Sequence, residues 1–404
     1  MAKTHTLSYK RIIKAPSSDV YRYFTNSSLL REWFSDTAHT QPRKGGRVYL
    51  AWNDGYYMSS TFGALVENKK INYTWTAPNE PPSKVLITLK ERDGSTVVSV
   101  SHSGLPTDRK SAKLVKGIDS GWKSALENLQ SVIETGEDMR FTMRPMLGIT
   151  GFEEMNKEIA ARLGVSVTEG IRIGGTVEGM SAAKAGLKGD DVVVSIGGKK
   201  ADTFPSLTNA LQQHRAGDEV KVVIHRGKEK MTLPMKLSKR PLPDIPWTAN
   251  DFAAGVKKLF DSFDVELEKS LNGVTDEQAS YRSTENEWSI KDVLAHLIIS
   301  ERDNQGFLTE SIQSAQRSYD NFPSNSEIRH KAIFAAHPTL KELLAEWKRA
   351  QREILAMCEA LPAEFIARKG SYWLYAYGTL QGNIHMNDHL RQIQKSLEQV
   401  KNKK

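Results

Sequence analysis

Three histidines carry the strongest chemical signal in this chain of 404 residues. His385 and His389 stand four residues apart in a pattern that predicts a helix, so both rings project from one face. His296 lies inside the apolar stripe of a different predicted helix. Two imidazoles one turn apart, joined by a third from another helix, can form a facial site for Zn, Ni or Fe with coordination positions left open. A His-x-x-x-His spacing also arises by chance, so spacing alone leaves an ordinary histidine cluster as the alternative. Glu301 and Asp303 follow His296 by five and seven residues; they could support the ligands, but a solvent-facing reading is preferred. Cys358 is the single cysteine. It excludes an intrachain disulfide, a thiolate zinc cluster and a CxxC redox pair, and reads as a buried apolar filler. No catalytic residue can be named, and a Gly-x-Ser-x-Gly elbow is absent.

The elements that must position these histidines are helices. Phe252, Val256, Leu259 and Phe263 mark a first helix by their spacing. The run Asn286–Asp292 starts a second, with Ser289 as N-cap and Asp292 at N3; Ile290, Val293, Leu294, Leu297 and Ile298 form its stripe. Leu340, Leu343, Leu344, Trp347 and Ile354 mark a third. Leu380 to Val400 makes a fourth, with Met386, Leu390, Ile393, Leu397 and Val400 inward. Residues 246–400 are therefore expected to form an all-α four-helix bundle. The segments Trp288-Ser-Ile-Lys-Asp-Val-Leu-Ala-His-Leu297 and His385-Met-Asn-Asp-His-Leu-Arg-Gln-Ile393 resemble the DinB/YfiT-like family. The resemblance implies a divalent metal held by His296, His385 and His389. Relatives in that family include metal-dependent thiol S-transferases and isomerases, in which a thiol cofactor would occupy the open position as thiolate.

Upstream, residues 143–240 are rich in glycine and in predicted strands. Met146-Leu147-Gly148-Ile149 forms a loop where a glycine lets backbone N–H groups converge, a nest able to hold a carboxylate. The strand after it offers a free edge to an added peptide. A helix over 204–213 would flank the groove, with Leu207 and Leu211 shaping its pocket. The alternative is a groove that is self-occupied or purely structural. The Leu-Gly-Ile loop, Ser181-Ala-Ala-Lys-Ala-Gly-Leu187, the Gly189-Asp-Asp-Val strand and the Gly197-Gly198 turn resemble a PDZ domain of the bacterial HtrA type. This implies capture of the C-terminal peptide of a protein partner.

Residues 1–138 predict a strand at Leu7–Ile13, a short helix after Ala15-Pro16, a meander of strands and a closing helix from Ser111 to Ile133. That order, with Gly121-Trp122-Lys-Ser-Ala-Leu-Glu-Asn-Leu129 late, resembles the START-like (SRPBCC) superfamily, and within it the activator of heat shock protein 90 ATPase homologues. The resemblance implies an α+β helix-grip fold with a cavity for an apolar small molecule. Trp33, Trp52, Tyr73, Trp75 and Trp122 could line it, or could simply be core.

Proline-rich Lys239-Arg-Pro-Leu-Pro-Asp-Ile-Pro246 and polar Glu134–Arg140 mark the expected domain boundaries. The net charge is +8, from 56 basic and 48 acidic residues, and no dense basic tract occurs beyond Lys401, Lys403 and Lys404. A nucleic-acid role is not expected. Neither is a membrane span, since no apolar run is long enough. A cytoplasmic location is expected from the lone cysteine and the absence of an apolar N-terminal segment. Together these features predict a multi-domain protein that binds an apolar ligand, a peptide and a metal. A metal-dependent enzyme of the thiol S-transferase or hydrolase type, or a co-chaperone, are the alternatives.

Overall fold

Alternating side chains build the first sheet. In the strand Ser95–Pro106, Val98, Val100 and His102 are buried and their neighbours are not, the period of two that a half-buried strand requires. In the computed structural model, which describes residues 4–284, 287–315 and 327–402, this strand is central. It pairs antiparallel with Thr4–Ile13 on one side and Ser83–Arg92 on the other, and Lys70–Trp75 completes the sheet. A second ladder joins Thr37–Thr40, Arg47–Ala51 and Tyr57–Thr61, and a bridge between Phe62 and Tyr73 links the two. The helix Ala112–Thr135 buries Trp122, Leu126, Leu129 and Val132, one residue every three or four, against this meander. It ends at Gly136, whose φ of 84° places it in the left-handed region favoured at helix C-termini. This is the helix-grip arrangement expected. A short helix, Ser27–Trp33, was not expected; Asn26 caps it by accepting from the Leu29 N–H. Asn286, at the head of the second-helix motif, and Lys403 and Lys404 of the basic tail lie outside the described residues.

The second region is an antiparallel sheet in the order Glu229–Lys236, Glu219–Arg226, Val192–Ile196, Ile171–Thr176, Ile149–Glu154, with helices Lys157–Leu163 and Phe204–Gln212. Glu153 and Glu154 belong to the last strand. The helix begins later because Asn156 caps it, its side chain accepting from the Ile159 N–H.

The third region is a bundle of four long helices, Ala249–Leu271, Ile290–Gln313, Leu340–Glu359 and Gly382–Asn402. Thr248, Ser289 and Thr339 cap the first three through their side chains. Phe252, Phe263, Leu294, Ile298, Trp347 and Ile354 fill the core. Between the third and fourth runs the helix Lys369–Leu380, which the apolar spacing does not predict. Its residues Tyr372, Trp373, Tyr375 and Ala376 are buried on more than one face, so it lacks a clean amphipathic period.

By contact the chain forms two compact units. Residues 139–242 make one; residues 1–138 and 243–404 together make the other. Within the latter, helix Lys369–Leu380 packs on Ser27–Trp33 and on Ala112–Thr135. No helix among the described residues is long and apolar enough to cross a membrane.

Candidate metal centre

The phase of His296 is set at the start of its helix. The Ser289 side chain accepts from the Asp292 N–H at 3.2 Å, and Asp292 accepts from the Ser289 N–H at 2.8 Å. Arg282 donates to both Asp292 oxygens, at 2.9 and 2.7 Å. With its first turn fixed at both ends, the helix delivers His296 into the bundle, where it is buried. Helix Gly382–Asn402 presents His385 and His389 from one face, His385 exposed and His389 half-buried.

The three Nε2 atoms converge. His385 Nε2 lies 3.0 Å from His296 Nε2 and 3.0 Å from His389 Nε2, and the three ligand atoms lie within 4.8 Å of one another. Tetrahedral Zn–N bonds of about 2.0–2.1 Å separate neighbouring nitrogens by about 3.3 Å. The donor set fits a divalent ion with little rearrangement. The outer shell fits as well. His389 Nδ1 and Gln392 Oε1 are 3.0 Å apart; a carbonyl oxygen only accepts, so Nδ1 carries the proton and Nε2 keeps its lone pair for the centre. Burial holds the His385 and His389 imidazoles below their ordinary value, with repulsion from His389 adding to the effect at His385. Neutral imidazoles are the form that binds metal. Trp288 closes one side, its ring 5.3 Å from that of His296 and stacked at 6.2 Å on that of His389.

Two clefts flank the triad. One, of about 230 Å³, shares His385 and is lined by Val256, Phe260, Leu297, Glu301, Phe307 and Tyr375 among others. The other, of about 410 Å³, shares His389 and is walled by Trp288, Gln392 and Lys395. Glu301, read from sequence as solvent-facing, is half-buried in the first cleft instead. Its place five residues after His296 was the available signal, but that spacing does not repeat on a helix face. Asp303 is half-buried as well, paired with Arg329 at 2.7 Å. Cys358 is wholly buried, and burial pushes its thiol up to about 12, so it is neither a ligand nor a nucleophile.

The other sequence-predicted residues also assemble. Leu147, Leu207, Ile149 and Leu211 pack in one apolar cluster, and Met146 is exposed beside it. Gly148 has a φ of 72°, and a Cβ there would stand 2.3 Å from Met180 Cβ, so glycine is required. Its carbonyl accepts from the Val177 N–H. Strand Ile149–Glu154 lies at the sheet's edge. Phe152 and Phe204 stack across to the flanking helix at 4.7 Å, a contact not anticipated.

In the helix-grip region Trp33, Trp52, Tyr73, Trp75 and Trp122 form one aromatic cluster with Phe34 at its centre. Phe34 stacks on Trp33 at 4.7 Å and on Trp122 at 5.2 Å, and Trp75 lies 6.3 Å from both Trp52 and Trp122. Beside it, Ser83 Oγ is 2.7 Å from His102 Nε2. This is not a nucleophile pair. Trp122 Nε1 donates to His102 Nδ1 at 3.1 Å, so the ring proton sits on Nε2 and points at the serine, and His102 cannot act as its base.

Known proteins divide along the same lines. Residues 14–134 match the family model described as Activator of Hsp90 ATPase homolog 1-like protein. Residues 145–237 match the PDZ domain and residues 260–393 the DinB superfamily. The serine protease Do-like HtrA of Lactococcus lactis subsp. lactis is 29% identical over 147 residues, covering 35% of this chain and 36% of that protein. The Bacillus subtilis Do-like HtrA is 36% identical over 78 residues, or 19% and 17% of the two chains. The chain spans about a third of the length of such curated relatives or less, and the likeness falls on the PDZ region. Among solved structures, CalU16 from Micromonospora echinospora is 21% identical with a TM-score of 0.29, covering 32% of this chain and 75% of that one. The Aha1 dimer from Colwellia psychrerythraea is 18% identical with a TM-score of 0.30, covering 33% and 98%. The chain thus carries an Aha1-like α+β region, a sheet-rich PDZ region and a DinB-like helical region, in that order.

Proposed function

We propose that this is a multi-domain binding protein whose bundle holds one divalent transition metal on His296, His385 and His389. The observation that carries this reading is the convergence of three Nε2 atoms, two of the separations being 3.0 Å. Three neutral imidazoles leave the ion's double charge uncompensated and positions open. A bound metal of this kind supplies Lewis acidity, lowering the pKa of a bound water toward about 7 for zinc and favouring an anion such as a thiolate. The chain's own residues do the rest. Gln392 fixes the His389 tautomer, Trp288 shields one side from water, and the capped helix start holds His296 in register.

The PDZ region takes the C-terminal peptide of a partner by adding a strand to the Ile149–Glu154 edge, with the carboxylate at Leu147-Gly148. The aromatic region takes an apolar small molecule. A reducing, cytoplasmic setting belongs to this reading, in keeping with one buried thiol that has no disulfide partner.

A second reading, a metal-dependent enzyme of the thiol S-transferase or hydrolase type, is favoured by one observation: a cleft containing a carboxyl adjoins a ligand histidine.

Elemental analysis of protein purified without a metal-affinity column tests the metal. We expect one ion per chain in the wild type and sharply reduced occupancy in His296→Ala, His385→Ala and His389→Ala. Wild-type protein that stays metal-free after incubation with Zn, Ni, Mn and Fe(II) at neutral pH would remove both readings of the bundle.

A further inference from the structure

The 230 Å³ cleft beside the triad is built mainly of hydrocarbon, from Val256, Phe260, Leu297 and Phe307. It is smaller than the roughly 300–1,000 Å³ typical of sites for drug-sized ligands. Two polar groups stand out against that lining. Tyr375 is 1% exposed, and its buried hydroxyl, which has Thr379 and Cys358 as its polar neighbours, makes no hydrogen bond of good geometry. A buried hydroxyl without a partner costs about 1–3 kcal/mol, so something is expected to satisfy it. Glu301 is half-buried in the same cleft, touched only at 3.4 Å by the Asn304 amide. Among the described residues that line the cleft there is no lysine or arginine. Burial pushes the Glu301 carboxyl up to about 7; above that pH, and with no metal bound on His385, an anion entering the cleft would meet its charge with nothing to offset it.

We propose that this cleft binds a small uncharged molecule with an apolar body and one carbonyl oxygen, which accepts from the Tyr375 hydroxyl beside Glu301. The site shares His385 with the triad, so the proposal deepens the metal reading by naming the class of molecule held beside the ion. Tyr375 is the group that touches the ligand through its O–H, and Glu301 selects against anions.

Binding to the full chain is measured by ligand-observed NMR, both stripped with chelator and loaded with zinc. Three probes of similar shape are compared: acetophenone, cumene and benzoate. Acetophenone is expected to bind the stripped chain and to outcompete both others there. Tyr375→Phe keeps the ring and removes only the hydroxyl; it should weaken acetophenone about three- to ten-fold, the worth of one hydrogen bond, and leave cumene unchanged. Gly378 also lines the cleft, and a Cβ there meets nothing within 4 Å. Gly378→Leu should therefore abolish acetophenone binding in a protein that melts no lower than the wild type. Equal acetophenone affinity in wild type and Tyr375→Phe, or benzoate competing as well as acetophenone in the stripped chain, overturns the proposal. Failure of the metal reading looks different: acetophenone still binds while zinc does not.

Discussion

The Ser371 hydroxyl donates to Glu32 Oε1 at 2.6 Å across 339 positions of sequence. Both side chains are buried. This bond ties helix Lys369–Leu380 of the bundle to helix Ser27–Trp33 of the α+β region, and so holds together the two parts of one compact unit. Asn26 Nδ2 donating to the Ser314 carbonyl at 3.3 Å, and Lys369 donating to the Glu134 carbonyl at 2.7 Å, flank it.

Burial pushes the Glu32 carboxyl up to about 7, against the pull of hydrogen bonds from Ser371 and Tyr23 and the charge of Arg368. A carboxyl whose folded value is raised contributes fully below its unfolded value of about 4.5 and loses that contribution as pH rises through about 7. Glu32→Gln should match the wild type near the lower limit and exceed it by about 3 kcal/mol at pH 8. Denaturant unfolding at a series of pH values measures this; parallel curves for the two proteins would show that Glu32 is not the titrating group.

Two glycines of one helix should respond oppositely to alanine. A Cβ on Gly370 would stand 2.5 Å from Val132 Cγ1 and 2.7 Å from Glu32 Oε2, so Gly370→Ala should cost about 1–3 kcal/mol by overpacking. Gly378 has open space, and Gly378→Ala should gain up to about 1 kcal/mol in helix propensity. Thermal melts of the two variants give the signs directly.

Gln392 is not one of the three ligand residues, yet its carbonyl fixes the His389 tautomer. Gln392→Leu should weaken metal binding by about 10–100-fold while the bundle stays folded. A competition titration against a chromophoric chelator reads this, with circular dichroism as the control.

In the PDZ region, a peptide with a free apolar C-terminal residue should bind with micromolar affinity, about −8 kcal/mol, and its amidated form should not. Gly148→Ala should abolish binding, because its φ of 72° and the nearness of Met180 leave no room for a methyl. Fluorescence anisotropy with the paired peptides decides the point, and equal binding of the amide would remove the carboxylate nest.

Trp75 packs against Phe34, Trp52, Tyr73 and Trp122, and its N–H donates to the Tyr56 hydroxyl at 3.0 Å. Trp75→Ala should cost about 3–5 kcal/mol and open a void. Melts combined with titration of a fluorescent lipid probe separate loss of packing from a change in ligand uptake.

The long elements were legible because their periods are strong. Leu126, Leu129 and Val132 recur at helical spacing, and Val98, Val100 and His102 at strand spacing. The histidines were legible for a similar reason, since i and i+4 on a helix fix a shared face before any tertiary structure is known. What escaped was non-periodic or non-local. Helix Lys369–Leu380 is buried on several sides and has no polar stripe to reveal it, and with it went Tyr375 and the cleft. Glu32 reads as one acid in a charged stretch; only a serine 339 residues away makes it special. Glu301 was misread because an acid on a helix is usually solvated, and the cleft that half-buries it is made by other helices.

Residues 136 and 247 lie side by side, for a Cβ on Gly136 would stand 3.0 Å from the Trp247 ring, although the whole PDZ unit is threaded between them. That unit is an insertion spanning a short gap in its host. If it melted, roughly a hundred residues would become a slack loop whose ends the host must still hold together. Loop entropy rises only by about 0.6 kcal/mol per doubling of length. That cost therefore changes little with the length or sequence of the insert, which lets the inserted unit be exchanged or lengthened with little effect on the fold that carries it.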